Sequence, residues 1–309
     1  MSRDCPDVTI VLLTFNGERY LEEVLCAIHR QSTSKSWEII AIDSRSTDGT
    51  VEILRRHQVR LEHRLRVEVI PKEEFGHAKT RNLGARLARG NLLVFLTQDA
   101  TPADEKWLAS LVAAAESHPA VAGAYSRQLP RAGCNPCERR DIEAGAPHER
   151  RVTHVNLADP VDAARFQRNI RRLILFSNVS SCIRREVWER LPFDESLDMM
   201  EDQEWCKRAL EAGHAIVYEP ASCVYHSHNF SLAQLFERYQ DYGKAYRKIT
   251  GWMLSLPRAV VYALREGAKD GAYIFRQRGR LLWKLRRALA APAIRLAMRY
   301  GLYRGMRRG

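Results

Sequence analysis

Short runs of apolar residues alternate with stretches in which apolar side chains recur every three or four positions, and this alternation fills the first 125 residues of the chain. Val8 to Leu13, Glu38 to Ile42, Val67 to Ile70, Leu92 to Leu96 and Val121 to Arg127 have the length and β-branched content of strands. Between them, Tyr20 to Gln31, Thr50 to His57, Ala78 to Ala88 and Glu105 to Ser117 have the helical period. Strand, helix, strand repeated in this way predicts an α/β fold with a mainly parallel, Rossmann-like central sheet flanked by helices. From Leu129 to about Asp162 the chain turns polar, with Pro130, Pro136, Gly145 and Pro147, and reads as an excursion or loop. Regular patterning then resumes: Arg185 to Arg190 and Asp202 to Ala212 as helices, Ala215 to Tyr218 as a strand, Leu232 to Ile249 as a longer amphipathic helix.

Charge adds a feature that the apolar pattern does not show. The net charge is +12, and beyond Asp270 there is no acidic residue, while Arg276, Arg278, Arg280, Lys284, Arg286 and Arg287 alternate with Leu281, Leu282, Trp283 and Leu285. Basic helices with leucine and aromatic faces suit an anionic membrane surface, with a solvated helix packed on its own domain as the plain alternative. Nucleic acid is the rival polyanion, but no nucleic-acid-binding motif accompanies the charge. No apolar run approaches the length of a spanning helix, and Asp4 and Asp7 stand where a leader would be basic and then apolar. Seven scattered cysteines do not make a disulfide framework, and Cys134-x-x-Cys137 has no second pair at zinc spacing. Together these predict a cytoplasmic protein, peripheral on the inner membrane.

The candidate chemistry begins where the basic stretch Phe75 to Arg89 runs into the strand Leu92 to Leu96, which ends in Thr97-Gln98-Asp99-Ala100-Thr101-Pro102. In parallel sheets ligands bind beyond the carboxyl ends of the strands, where Asp99 stands. Lys79, Arg81 and Arg86 precede it, and a carboxylate near cations suits a metal-bridged polyphosphate. The competing reading makes Asp99 a cap for a helix that Pro102, Asp104 and Glu105 begin. Thr14-Phe15-Asn16 and Asp43 close the first two strands on the same side; Asp43 could accept from a pyrimidine imide or only from its own turn. Glu201-Asp202 opens a helix, and one carboxylate there could take a proton from an attacking hydroxyl. His226-Ser227-His228 follows a strand, and paired histidines there could offer an imidazole to a divalent metal or be ordinary surface or core histidines. Trp188, Phe193 and Trp205 read as core or as a sugar platform; Arg184 and Arg185 as acceptor-diphosphate ligands or as the start of an exposed helix.

In order, Thr14-Phe15-Asn16, Asp43 with Ser46-Thr47-Asp48-Gly49-Thr50, Ala78 to Ala85, Thr97-Gln98-Asp99, Glu201-Asp202 and His226 resemble glycosyltransferase family 2, the inverting, nucleotide-sugar-dependent enzymes of GT-A fold. The likeness covers about Val8 to Tyr242. Phe75-Gly76-His77, Leu96 to Ala100, Ser177-Asn178 and His226 to Asn229 look most like bacterial rhamnosyltransferases of surface-polysaccharide assembly. The resemblance implies a GT-A domain over 1–230, with a nucleotide-sugar half over 1–128 and an acceptor half over 129–230, followed by a basic helical extension over 231–309. It implies Thr14, Asn16, Asp43, Arg81, Gln98 and Asp99 at a dTDP- or UDP-sugar, and Asp99 and His226 at Mg2+ or Mn2+. Asp202 would be the catalytic base, with Glu201, Trp205 and Arg184 towards a glycan or lipid-linked glycan acceptor. The family's Asp-x-Asp stands here as Thr97-Gln98-Asp99, without the first carboxylate. That gap leaves room for a non-catalytic sugar-nucleotide or glycan binder on a decayed transferase fold, which the retained Glu201-Asp202 and His226 oppose.

Overall fold

The structure is a computed structural model that describes residues 5–61 and 64–308; Asp4, part of the leader reading, lies outside them. The chain divides into two compact units, Met1–Leu129 with Pro147–Leu197 and Glu201–His226, and Pro130–Ala146 with Asp198–Met200 and Ser227–Gly309.

The first unit is built on β1 (Val8–Thr14), α1 (Glu18–His29), β2 (Trp37–Asp43), α2 (Thr50–Arg60), β3 (Leu65–Val69), α3 (His77–Leu87) and β4 (Leu92–Thr97). Every residue of β1 and β2 is buried, as expected of central strands covered by helices on both faces. α1 buries Leu21, Val24, Leu25 and Ile28, the one-face spacing of an amphipathic helix. The order β3-β2-β1-β4 is parallel throughout. Because Thr14 pairs with Asp43 and Leu13 with Thr97, the loops after β1, β2 and β4 emerge along one edge.

Beyond β4 the sheet turns mixed through β5 (Thr101–Pro102), β6 (Val121–Leu129), β7 (Arg151–Thr153), β8 (Ser180–Arg184) and β9 (Ala215–Tyr225). Three expectations change here. The helix expected from Glu105 is α4 (Trp107–Ala115), and Pro102 pairs with Val224 in β5 instead of opening it, so Asp99 is no helix cap. The polar excursion is not loop throughout: it holds α5 (Pro136–Gly145), β7 and the start of α6 (Pro160–Leu173). Asn135 and Asp159 cap these helices and Pro136 and Pro160 occupy their first turns, strong start signals with few apolar residues behind them. Strand β8 was not expected at all. Its serines are buried but bonded: Ser180 Oγ accepts from Trp107 Nε1 at 2.9 Å and shares a hydrogen bond with Ser126. α7 (Arg185–Arg190) and α8 (Glu201–Glu211) complete this unit.

The second unit packs α5 with α9 (Leu232–Thr250), α10 (Leu256–Arg276) and α11 (Leu281–Arg308). Glycines let these helices approach closely: a Cβ on Gly243 would lie 2.3 Å from the Leu302 carbonyl, and one on Gly305 1.9 Å from that of Gln240. Among the described residues no helix is long and apolar enough to cross a membrane.

Candidate active site

The loops after β1 and β2 are laced together before any ligand is considered. Asp43 is fully buried; its carboxylate accepts from Thr14 Oγ1 at 3.0 Å, Ser46 N at 2.8 Å and Ser46 Oγ at 2.6 Å. Asn16 Oδ1 accepts from Thr47 N at 2.9 Å, and Asn16 and Arg45 hold φ of 46° and 55°. Left-handed backbone at a non-glycine residue costs about 1–3 kcal/mol and gathers where a loop must hold one shape. Asp43 thus performs the turn role that its sequence left open, with roughly one of its four acceptor positions uncommitted.

Gln98 ties the β4 loop to the same cradle. Its Oε1 accepts from Phe15 N at 2.8 Å and its Nε2 donates to Phe15 O at 2.9 Å, so the side chain pairs with the β1 loop as a neighbouring strand would. A Cβ on Gly17 would lie 2.2 Å from Gln98 Oε1, which is why the turn needs glycine there. The residue between Thr97 and Asp99 is therefore a strut, and Asp99 stands directly after it.

His226 directly follows β9 and lies beside Asp99, with Nε2 3.7 Å from Oδ1. Gln128 Oε1 lies 3.0 Å from His226 Nδ1; since an amide oxygen only accepts, Nδ1 carries hydrogen, which leaves Nε2 as the ring nitrogen turned to Asp99. Two donors bound at about 2.1 Å to one octahedral ion stand roughly 3 Å apart when adjacent and roughly 4.2 Å when opposed; the 3.7 Å separation lies between these, so the two side chains would have to move by about half an ångström to share such a cation. Gln128 Nε2 also donates to Ser177 Oγ at 3.1 Å, joining the imidazole to the loop before β8. Gln128→Ala should weaken divalent-ion affinity about tenfold while leaving the fold intact, read by calorimetric titration with Mn2+. Unchanged affinity would remove Gln128 from that role.

That loop also holds the second carboxylate. Thr97 N donates to Val179 O at 3.2 Å, placing residues 177–179 against the end of β4, and Asn178 N donates to Asp202 Oδ2 at 3.1 Å. Asp202 is half-buried on the first turn of α8, where Gln203 N also donates to it. Desolvation first and the charge of Glu201 second hold its carboxyl above the ordinary aspartate value of 3.8, against the pull of the two backbone donors and Arg81. A carboxyl moved towards neutrality is better matched to taking a proton from a hydroxyl than an ordinary one.

Glu201 and Arg81 do something other than expected. Arg81 Nη1 donates to Glu201 Oε1 at 2.7 Å, Asn178 Nδ2 donates to the same oxygen at 3.2 Å, and both charged residues are buried. Arg81 therefore locks α3 to α8. Gly84 explains its direction: a Cβ there would be 2.3 Å from Val11, so this face of α3 lies tight on the sheet and carries Arg81 and Asn82 inward. Arg86 faces Glu195 at 3.7 Å.

Two expected acceptor residues are not brought to the site. Trp205 is fully buried against Phe176 and Phe193, ring centroids 5.0 and 6.3 Å away, which makes it core and no sugar platform. Arg184 pairs with Leu92 at the start of β4, whereas Ser180 pairs with Leu96 at its end; four residues of strand put Arg184 about 14 Å from the Asp99 edge. Its guanidinium donates to the carbonyls of Val121 and His118. Conversely Gln128 was missed, and Asn178 entered only as part of a resemblance.

Asp99 beside His226, the braced cradle over the parallel strand ends and the raised-pKa carboxyl of Asp202 are tied together through the loop of residues 177–179. Comparison with known proteins gives the family. Residues 9–172 match the family described as glycosyl transferase family 2. The O-antigen chain rhamnosyltransferase RfbN of Salmonella typhimurium (strain LT2) is 30% identical over 238 residues, 76% of this chain and 71% of the relative. WbaN of Salmonella anatum, also named an O-antigen chain rhamnosyltransferase, is 31% identical over 77% of this chain and 71% of its own length. Among solved structures, the mannosyltransferase PcManGT of Pyrobaculum calidifontis, in complex with GDP-Man and Mn2+, shares the fold at TM-score 0.58 and 21% identity, covering 93% of this chain and 74% of that one. Sequence match, shared fold and site geometry agree that the chain belongs to glycosyltransferase family 2, as a nucleotide-sugar glycosyltransferase of GT-A fold.

Proposed function

We propose that the enzyme moves L-rhamnose from dTDP-L-rhamnose, with inversion, onto a lipid-linked or polysaccharide acceptor in cell-surface glycan assembly, working at the cytoplasmic face of the inner membrane. The observation that carries the donor is the identity of 30% and 31% to two rhamnosyltransferases over three quarters of the chain. The cradle of Thr14, Asn16, Asp43 and Gln98 holds its loops rigid for the nucleotide, with Asp43 bracing it from beneath. Asp99 and His226 hold a divalent cation, Mg2+ or Mn2+; a bound cation neutralises charge on the departing diphosphate. One oxygen ligand and one nitrogen ligand suit Mn2+ at least as well as Mg2+. Across the anomeric carbon, Asp202 takes the proton from the acceptor hydroxyl as its oxygen attacks. Asn178 and Gln203 orient that carboxylate through their backbone N–H groups.

A thermal-shift panel of dTDP-, UDP- and GDP-sugars with Mg2+, Mn2+ or EDTA tests the donor. Ligand at a hundred times its dissociation constant stabilises the native state by about 2.7 kcal/mol, a readable rise in melting temperature. dTDP-L-rhamnose should give the largest rise, and EDTA should remove most of it. A larger rise with a UDP-sugar would replace the donor, and a rise indifferent to EDTA would remove the metal.

A further inference from the structure

Helix α10 leaves large apolar residues on the surface while its contact with α11 is made by small ones. α10 turns Ala259, Ala263, Gly267 and Asp270 inward and leaves Val261 and Leu264 60% and 61% exposed. The buried Asp270 is not alone: Arg295 of α11 donates to both its oxygens at 2.6 and 2.8 Å, and Arg140 of α5 lies 2.7 Å from it. Small residues make the close helix contact, since a Cβ on Gly267 would stand 3.0 Å from Pro292 Cα. A helix pair that buries glycine, alanine and paired charge at its contact while showing leucine, valine and tyrosine among arginines and lysines outside presents a mixed apolar and basic surface.

The turn between α10 and α11 concentrates this. From Phe275 to Arg287, six of thirteen residues are lysine or arginine, five are phenylalanine, leucine or tryptophan, and none is acidic. Leu281 and Leu282 are 66% and 69% exposed, and Phe275, Trp283 and Leu285 are exposed too. The tip is nonetheless ordered by its own contacts. Lys284 Nζ donates to the Phe275 carbonyl at 3.0 Å, and the Trp283 ring packs over Gly279, whose φ of 151° is left to glycine.

We infer that the tip of the α10–α11 hairpin docks on an anionic lipid bilayer, with Phe275, Leu281, Leu282 and Trp283 at the headgroup boundary and the arginines on lipid phosphates. Charge selects this occupant. Leucines and a tryptophan set among arginines complement a surface that is apolar beneath and anionic above, whereas a second copy of the tip would bring like charges together. Neither helix meets the requirement for crossing, so the contact is with the surface. The inference deepens the proposed membrane location and rests on that reading for its biological sense, but its test needs neither donor nor acceptor.

The full chain is floated with vesicles of neutral phosphatidylcholine and with vesicles in which about one third of the lipid is phosphatidylglycerol. It should float with the anionic vesicles, remain largely free with neutral ones, and lose about tenfold in partitioning between 0.1 and 0.5 M salt. Leu281→Gln with Leu282→Gln, and separately Arg278→Gln with Arg280→Gln, should each lower partitioning at least tenfold. Both pairs are on the surface, so melting temperature and transfer to a detergent-dispersed acceptor should stay unchanged. Absence of flotation by the native chain, or variants that float as well as it does, overturns the inference. So does a dimer that the leucine pair disperses without any vesicle binding. A native chain that transfers sugar but does not float removes the membrane contact alone; a native chain that floats but does not transfer removes the enzymatic proposal alone.

Discussion

Asp202→Asn is expected to abolish transfer without harming the protein. Asparagine keeps the shape of the side chain and can still accept from Asn178 N, so α8 and the loop of residues 177–179 should stay in place. It cannot take a proton. General-base catalysis accounts for about 10²- to 10⁴-fold in rate, so single-turnover transfer should fall roughly a thousandfold, about 4 kcal/mol of transition-state stabilisation. Donor affinity should be unchanged, because the proposed nucleotide ligands lie on the β1, β2 and β4 loops. Stability moves the other way. A carboxyl whose pKa is higher in the folded than in the unfolded chain costs stability as pH rises from the unfolded value through the folded one. At neutral pH the native aspartate therefore bears that cost and asparagine does not. The variant should melt at the same temperature or higher; inactivity accompanied by a collapse in melting temperature would point to a structural role for Asp202.

Arg81→Met should do the opposite, lowering stability heavily. The guanidinium and the Glu201 carboxylate are both buried, and removing one partner of such a pair costs about 3–5 kcal/mol because the other charge is left uncompensated. At about 2–4 °C per kcal/mol, the melting temperature should drop by roughly 10 °C. Replacing both residues, Arg81→Met with Glu201→Met, removes the stranded charge and should recover most of the loss, since a buried ion pair is often matched by apolar residues of similar volume. A single variant that melts within a degree or two of the native protein would show that the pair contributes nothing. This pair bears on catalysis as well, because Glu201 is one of the two causes that raise the Asp202 pKa.

Strands β1, β2 and β4 were legible because each is buried on both faces and must be apolar almost throughout. Strand β8, Ser-Ser-Cys-Ile-Arg, was hidden for a related reason: it is central too, but Ser180 is satisfied by Ser126 and Trp107 Nε1, and Ser181 by Asn178 Oδ1, instead of both being replaced by valine. Helix α5 was hidden because polar residues on it are engaged by other helices instead of apolar ones; Arg140 and Asp141 pair with charges on α10 and α11. In the site, strand ends brought Thr14, Asn16, Asp43 and Asp99 to one edge, as their sequence positions implied. What they touch was not legible. Arg81 and Glu201 are 120 residues apart, and nothing local says that a basic residue on a helix points inward. Tryptophan at helical spacing gave no sign of whether Trp205 faced a ring of sugar or of phenylalanine. Gln98 occupies the middle of a motif known for its carboxylates, which obscured its work as a strut to Phe15.

The measurement closest to the assignment of Asp202 as the base is the pH dependence of single-turnover transfer at saturating donor and metal. Transfer should require a deprotonated group and rise with pH along one limb whose midpoint lies well above 3.8, in the direction that burial and Glu201 push Asp202. The small residual rate of Asp202→Asn should lack that limb. A native profile flat across the same range, or the same limb persisting in Asp202→Asn, would contradict the assignment.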